Sequence, residues 1–93
     1  DMNLCYEGVD AWLELKLFVG GRVLLRPEQY AWGTRRAFHK GRAFVGALHP
    51  NNRIHFFRFP FDVIPHSKYL SIVSKPEICD IKNVDAILSL LFT

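Results

Sequence analysis

Three residues near the start of the chain have types that can act on a phosphodiester. They are Asp1, Glu14 and Lys16. Glu14 and Lys16 sit two apart in Glu14-Leu15-Lys16, so on a strand their side chains share a face. Two carboxylates can hold a hard divalent cation through oxygen. Such a cation polarises a scissile phosphate and acidifies a bound water. A neighbouring ammonium can orient that water and offset the charge that develops during attack. Taken alone, a Glu-x-Lys pair reads better as a cross-strand ion pair on an exposed sheet face.

The elements must bring these residues together. Residues 2–6 read as a short strand, with Glu7-Gly8-Val9-Asp10 as a turn. Residues 11–18 alternate as a second strand. Leu13, Leu15 and Leu17 take one face and are expected to bury the strand's back. Trp12, Glu14, Lys16 and Phe18 take the other. An antiparallel hairpin of the two strands brings Asp1 towards Glu14 and Lys16. Gly20-Gly21 then opens a loop.

A helix is expected over residues 27–40. Pro27 suits its first turn, Glu28 complements its positive end, and Gly41 is a natural left-handed cap. Gly33 weakens its interior. Strands follow at residues 42–48 and 54–59, the latter an edge strand ended by Pro60. His49-Pro50-Asn51-Asn52 reads as the turn between them. Residues 62–75 fit either a short helix or another extended piece near Tyr69. Residues 81–92 carry Val84, Ile87, Leu88 and Leu91 on one helical stripe. The expectation is one α/β domain over residues 1–93. It has a small mixed sheet, a helix after the second strand and a C-terminal helix able to cover a sheet face.

Within this frame the run Asp1…Glu14-Leu15-Lys16…Arg22…Leu25-Arg26-Pro27-Glu28-Gln29-x-x-Trp32 resembles the VRR-Nuc branch of the PD-(D/E)xK nuclease superfamily, notably its small phage and bacterial forms. The likeness covers residues 1–58. It implies a restriction-endonuclease-like core and magnesium-dependent cleavage of DNA, with manganese as an alternative ion. It also implies that Asp1, Glu14 and the Leu15 carbonyl are metal ligands, that Lys16 is catalytic, and that Gln29 supports the site from the helix. Trp32 would anchor that helix in the core. The family pattern has an upstream helix bearing a glutamate, and a proline before the first aspartate. Neither is found in these 93 residues. The expectation is that the start has been truncated or cleaved, or that the helix comes from elsewhere.

Composition is compatible with such a partner. The net charge is +3 with 12 Lys and Arg, and six of these fall at Arg22, Arg26, Arg35, Arg36, Lys40 and Arg42. A solvated helix face explains that cluster as well as a nucleic acid does. As DNA contacts, Arg22, Arg26, Arg35, Arg36 and Lys40 would hold phosphates without reading sequence. The family resemblance implies branched or junction DNA as the partner, and a homodimer would set two sites on a symmetric junction. The hydrophobic fraction of 49% excludes a disordered chain, and 14% aromatic residues supply much of the core. Cys5 and Cys79 form no CxxC pair, and Cys5 reads as a small core residue. The reading expects no signal peptide or membrane span, and a cytoplasmic protein (host cytoplasm if viral). His49-Pro50-Asn51-Asn52…His55 superficially echoes an HNH nuclease, but no helix is expected after His55. His39 and His66 read as isolated and exposed. A nuclease fold used only for binding, or a structural protein, are the competing functions.

Overall fold

The computed structural model describes residues 2–6, 9–39, 41–50 and 53–76, with side chains from residue 10 onwards. It is a small mixed α/β arrangement of two sheets and one helix among the described residues. Strands β1 (Met2–Tyr6) and β2 (Val9–Leu17) pair antiparallel, with Met2 opposite Leu13 and Tyr6 opposite Val9. After β2 come β3 (Leu24–Leu25) and helix α1 (Pro27–Phe38). Strand β4 (Arg42–Leu48) then returns parallel to β2, with Glu14 level with Val45. Strand β5 (Ile54–Arg58) pairs antiparallel with β4 and forms the edge opposite β1, as its proline-terminated sequence suggests. The four-stranded order is β1-β2-β4-β5.

The ambiguous stretch after Pro60 is extended. Strands β6 (Val63–His66) and β7 (Tyr69–Ile72) make a hairpin, and β3 joins β7 to complete a three-stranded sheet. A two-residue β3 carries too little periodicity to be read from sequence. The C-terminal helix expected over residues 81–92 lies outside the described residues.

Alternation in β2 turns Trp12 inward, onto the face covered by α1 and the second sheet. The core cluster there comprises Trp12, Val23, Leu25, Ala43, Val45, Ala47, Phe57, Phe59 and Phe61. Phe59, Phe61 and Phe57 meet one another at tilted or edge angles, which suit the quadrupoles of aromatic rings. The helix lies close to this core because Gly33 has no side chain. A Cβ on Gly33 would stand 2.4 Å from Phe59 Cζ. A residue that weakens an isolated helix is thus what lets this one dock.

Two further expectations are corrected. The last helical residue is Phe38, and the C-cap is His39 at φ −92°. Gly41 is not a left-handed cap. Among the described residues, positive φ occurs at Gly20, Gly21 and Ser67. Gly41 is needed for closeness, since its Cβ would sit 2.7 Å from the Arg36 carbonyl oxygen. Gly20 and Gly21, at φ 56° and 75°, form the two central residues of a tight hairpin closed by reciprocal Val19–Arg22 backbone bonds.

The leucine face of β2 also departs from expectation. Leu13 is buried, but Leu15 and Leu17 are 50% and 66% exposed. The described helix and second sheet pack on the other side, while on the leucine face Leu13 is buried together with its cross-strand neighbours Phe44 and Phe56. Gly46 lies beside this ridge, and a Cβ there would meet Leu15, Phe56 and Leu13 at 3.2–3.5 Å.

Candidate active site

Glu14 stands on the same face of β2 as Trp12 and is only 4% exposed. A buried carboxylate is costly unless cations or donors compensate it. Two do so here. The Lys16 Nζ lies 3.5 Å from Glu14 Oε1, and the Gln29 Nε2 amide donates a hydrogen bond to the same oxygen. The sequence spacing of two therefore becomes a contact, because both side chains leave the strand on one side.

Gln29 is held by the helix start. Its Oε1 accepts a hydrogen bond of 2.9 Å from the Arg26 backbone N–H. This is the half of a capping box in which the third helical side chain reaches back to the N-cap. Pro27 sits in the first turn, where its missing N–H costs nothing. One amide thus uses its carbonyl to close the helix and its NH₂ to hold the carboxylate. That division fixes the amide's orientation, since the reverse would set an oxygen against Glu14.

Glu14 and Gln29 line an open cleft of about 260 Å³ together with Trp12, Arg26, Glu28 and Trp32. Arg26 Nε lies 3.5 Å from Glu28 Oε1 at the rim, where both are well exposed. Such an exposed pair adds little stability and leaves both groups accessible. Of the expected site residues, then, Glu14, Lys16, Gln29 and Arg26 are brought together. Asp1 and Lys40 lie outside the described residues. The Leu15 side chain faces away from Glu14, and only its peptide lies between the two charged residues.

The remaining basic residues are spread. Arg22, on the glycine hairpin, points an NH group at the Ser71 hydroxyl 3.4 Å away. Arg35 is exposed in the last turn of α1. Arg36 places its guanidinium 5.3 Å from the centre of the Trp32 ring. Among the described residues, no group of three or more His, Cys, Asp or Glu side chains is placed to hold a metal.

Trp32 differs from expectation. It is 47% exposed and stacks on the buried Trp12, with ring centres 5.3 Å apart and planes within 7°. The helix docks instead through Tyr30, Gly33 and Ala37, whose spacing of three and four gives the inner stripe. Trp32 falls beside that stripe, a displacement that the spacing itself signals. Tyr30 anchors the helix further by donating from its hydroxyl to the Phe61 carbonyl at 3.0 Å.

A second cluster lies at the β4–β5 end. The His49 and His55 rings are 3.7 Å apart, and Phe18 stacks on His49. Burial, then the neighbouring His49 and Arg53, hold the His55 pKa below its usual 6.5. His39 and His66 are exposed, as expected. No described helix follows His55, so a ββα metal frame is not formed among the described residues.

No protein-family model matches the sequence, no curated protein matches it, and no solved structure matches the fold. No described helix is long and apolar enough to cross a membrane.

Proposed function

We propose that this domain is a metal-dependent endonuclease that hydrolyses phosphodiester bonds in DNA, favouring branched or junction structures. The observation that carries the reading is the joint hold of Lys16 and Gln29 on the buried Glu14 at the wall of an open cleft. An isolated surface ion pair would not need a helix-borne amide to orient it. The strand–helix–parallel-strand unit of β2, α1 and β4 fits the restriction-endonuclease-like core that the sequence resemblance implies.

The cation-binding part of the proposal is judged by donor chemistry. Glu14 offers hard carboxylate oxygen, which suits magnesium or manganese. Asp1 is the second acid that the sequence resemblance implies. The Leu15 carbonyl is the third proposed ligand. When bound, the ion supplies Lewis acidity and a more acidic water.

The chain's own residues do the rest. Gln29 fixes the rotamer of Glu14. Lys16 orients the attacking water and offsets negative charge on the phosphate oxygens. The water oxygen bonds to phosphorus, the bond from phosphorus to the leaving deoxyribose oxygen breaks, and the released proton ends on that oxygen. Arg26, at the rim, is the nearest of the proposed phosphate contacts. Arg22, Arg35, Arg36 and Lys40 are the further proposed phosphate contacts, and a homodimer would serve a symmetric junction.

A second reading has a specific basis. Glu14 Oε1 already has an ammonium and an amide, which is also how a structural ion pair is satisfied. On that basis the domain would bind nucleic acid without cutting it. A magnesium titration on branched and linear DNA separates the two. Cleavage by the parent that is lost in a folded Glu14→Gln variant supports the nuclease. Salt-sensitive binding with no cleavage at any magnesium concentration supports the binding module.

A further inference from the structure

We propose that the exposed indole of Trp32 is a stacking platform for an unpaired nucleobase, and that it gives the site its preference for DNA with single-stranded character. This rests on the nucleic-acid reading above, whether or not the domain cuts.

The argument starts from where Trp32 stands. It lines the same cleft as Glu14 and Gln29, three residues along α1 from the amide that holds the carboxylate. Large aromatic side chains normally bury, yet this one is 47% exposed. Its inner face is not loose. It lies almost parallel to Trp12, which is 4% exposed and fixed in the core. Trp12 in turn meets Phe59, the ring on which Gly33 rests. The exposed ring is therefore braced from beneath by a rigid aromatic column. A rigid, flat, exposed π-surface costs little entropy to engage, and every base has a face to offer it.

The outer face carries the Arg36 guanidinium, 5.3 Å from the ring centre. Guanidinium groups hold that position by cation–π attraction, which is modest at an exposed site. A base entering the stack takes that place. Arg36 is long and unbranched, and once displaced it remains within reach of the phosphate next to that base. The same cleft has Arg26 at its rim for a neighbouring phosphate. An aromatic plate with one guanidinium over it and another lining the same cleft, beside the buried Glu14 carboxylate, matches a strand whose base leaves the duplex next to a phosphodiester. A base paired inside a blunt duplex cannot present its face in this way. The preference thus arises without contacts to base edges, so it carries no sequence specificity.

The test measures binding without metal, so that cutting does not enter. Parent and Trp32→Leu are titrated with oligothymidylate and with a blunt duplex of equal length, in EDTA at low salt. Leucine keeps an apolar cover over Trp12 while removing the flat π-face, and circular dichroism verifies the fold. The expected result is quenching of tryptophan fluorescence in the parent and a loss of about tenfold or more in single-strand affinity on Trp32→Leu. Duplex affinity should change by less than about twofold, because phosphate contacts dominate it. Equal losses on both ligands, unchanged single-strand affinity, or no single-strand binding by the parent would overturn the inference. Magnesium-dependent cleavage is scored separately. A parent that stacks through Trp32 and never cuts keeps this inference and ends the nuclease reading. A parent that cuts while Trp32→Leu binds single strands normally does the reverse.

Discussion

The two faces of the four-stranded sheet are made by the same strands and have opposite fates. On one, Trp12, Val45 and Phe57 lie under α1 and the second sheet, and Glu14 is buried beside them. On the other, Leu15, Leu17 and Leu48 remain exposed among the described elements. The polar pair is on the face under α1, whereas on the other face Phe44 and Phe56 are buried but the Leu15–Leu17–Leu48 ridge is exposed. Hydrophobicity alone predicts the reverse. The difference shows that Glu14 is held in by its partners, with a helix-borne amide and an ammonium offsetting the desolvation that its burial costs.

The comparison can be broken most sharply at Lys16. Its side chain is 23% exposed and helps offset the buried Glu14 charge, so Lys16→Ala should lower stability in urea denaturation, and its activity is compared where circular dichroism shows the fold retained. If the polar face is catalytic, the same change should lower the cleavage rate by about two to three orders of magnitude, the scale of losing one charge-stabilising contact. Full activity in the folded variant would reduce the pair to a structural feature.

A stability contrast follows. Phe57→Ala, on the covered face, should cost about 3–5 kcal/mol in urea denaturation, since it empties a packed aromatic site. Leu15→Ala, half exposed on the open face, should cost less than about 1 kcal/mol. Similar losses for both would mean that the leucine ridge is covered in solution. Gly33→Ala gives a smaller change. Alanine improves helix propensity by about 1 kcal/mol, while forcing a Cβ into the buried Phe59 ring costs about 1–3 kcal/mol. The clash should win by about 1 kcal/mol, seen as a lower thermal midpoint. A raised midpoint would show that α1 can move off the core freely.

The smallest effect concerns His55, at the far end of the covered face. Its folded pKa lies below the ordinary 6.5, chiefly through burial, then His49 and Arg53. The unfolded chain therefore binds the proton first. Stability from this group is fully present above 6.5 and falls as the pH drops towards the folded pKa. His55→Gln should flatten that part of the acid limb in thermal melts across this range. An unchanged acid limb would assign the sensitivity to other groups.

Much of this organisation was legible in the sequence, and the exceptions have physical reasons. Period-two alternation put Glu14 and Lys16 together, and the turn after β1 implied the antiparallel pair. Gln29 entered through the family resemblance, and its double role depends on the geometry of the helix start. The fate of the leucines was not readable, because alternation tells which residues share a face but not which face is covered. The family resemblance implies Trp32 as a core anchor. The spacing of Tyr30, Gly33 and Ala37 favoured a different inner stripe, in which the smallest residue makes the closest contact. The second sheet was hidden because β3 has only two residues and pairs with a strand far along the chain.

The central claim is that the covered face holds a cation at Glu14. Manganese-soaked crystals, measured at the manganese absorption edge, test it without any assay of turnover. The account predicts an anomalous peak within about 2.0–2.5 Å of the Glu14 carboxylate, the range for oxygen ligands of divalent ions, with Asp1 as a second ligand. A peak at the His49–His55 pair alone, or none near Glu14 at saturating manganese, would contradict it.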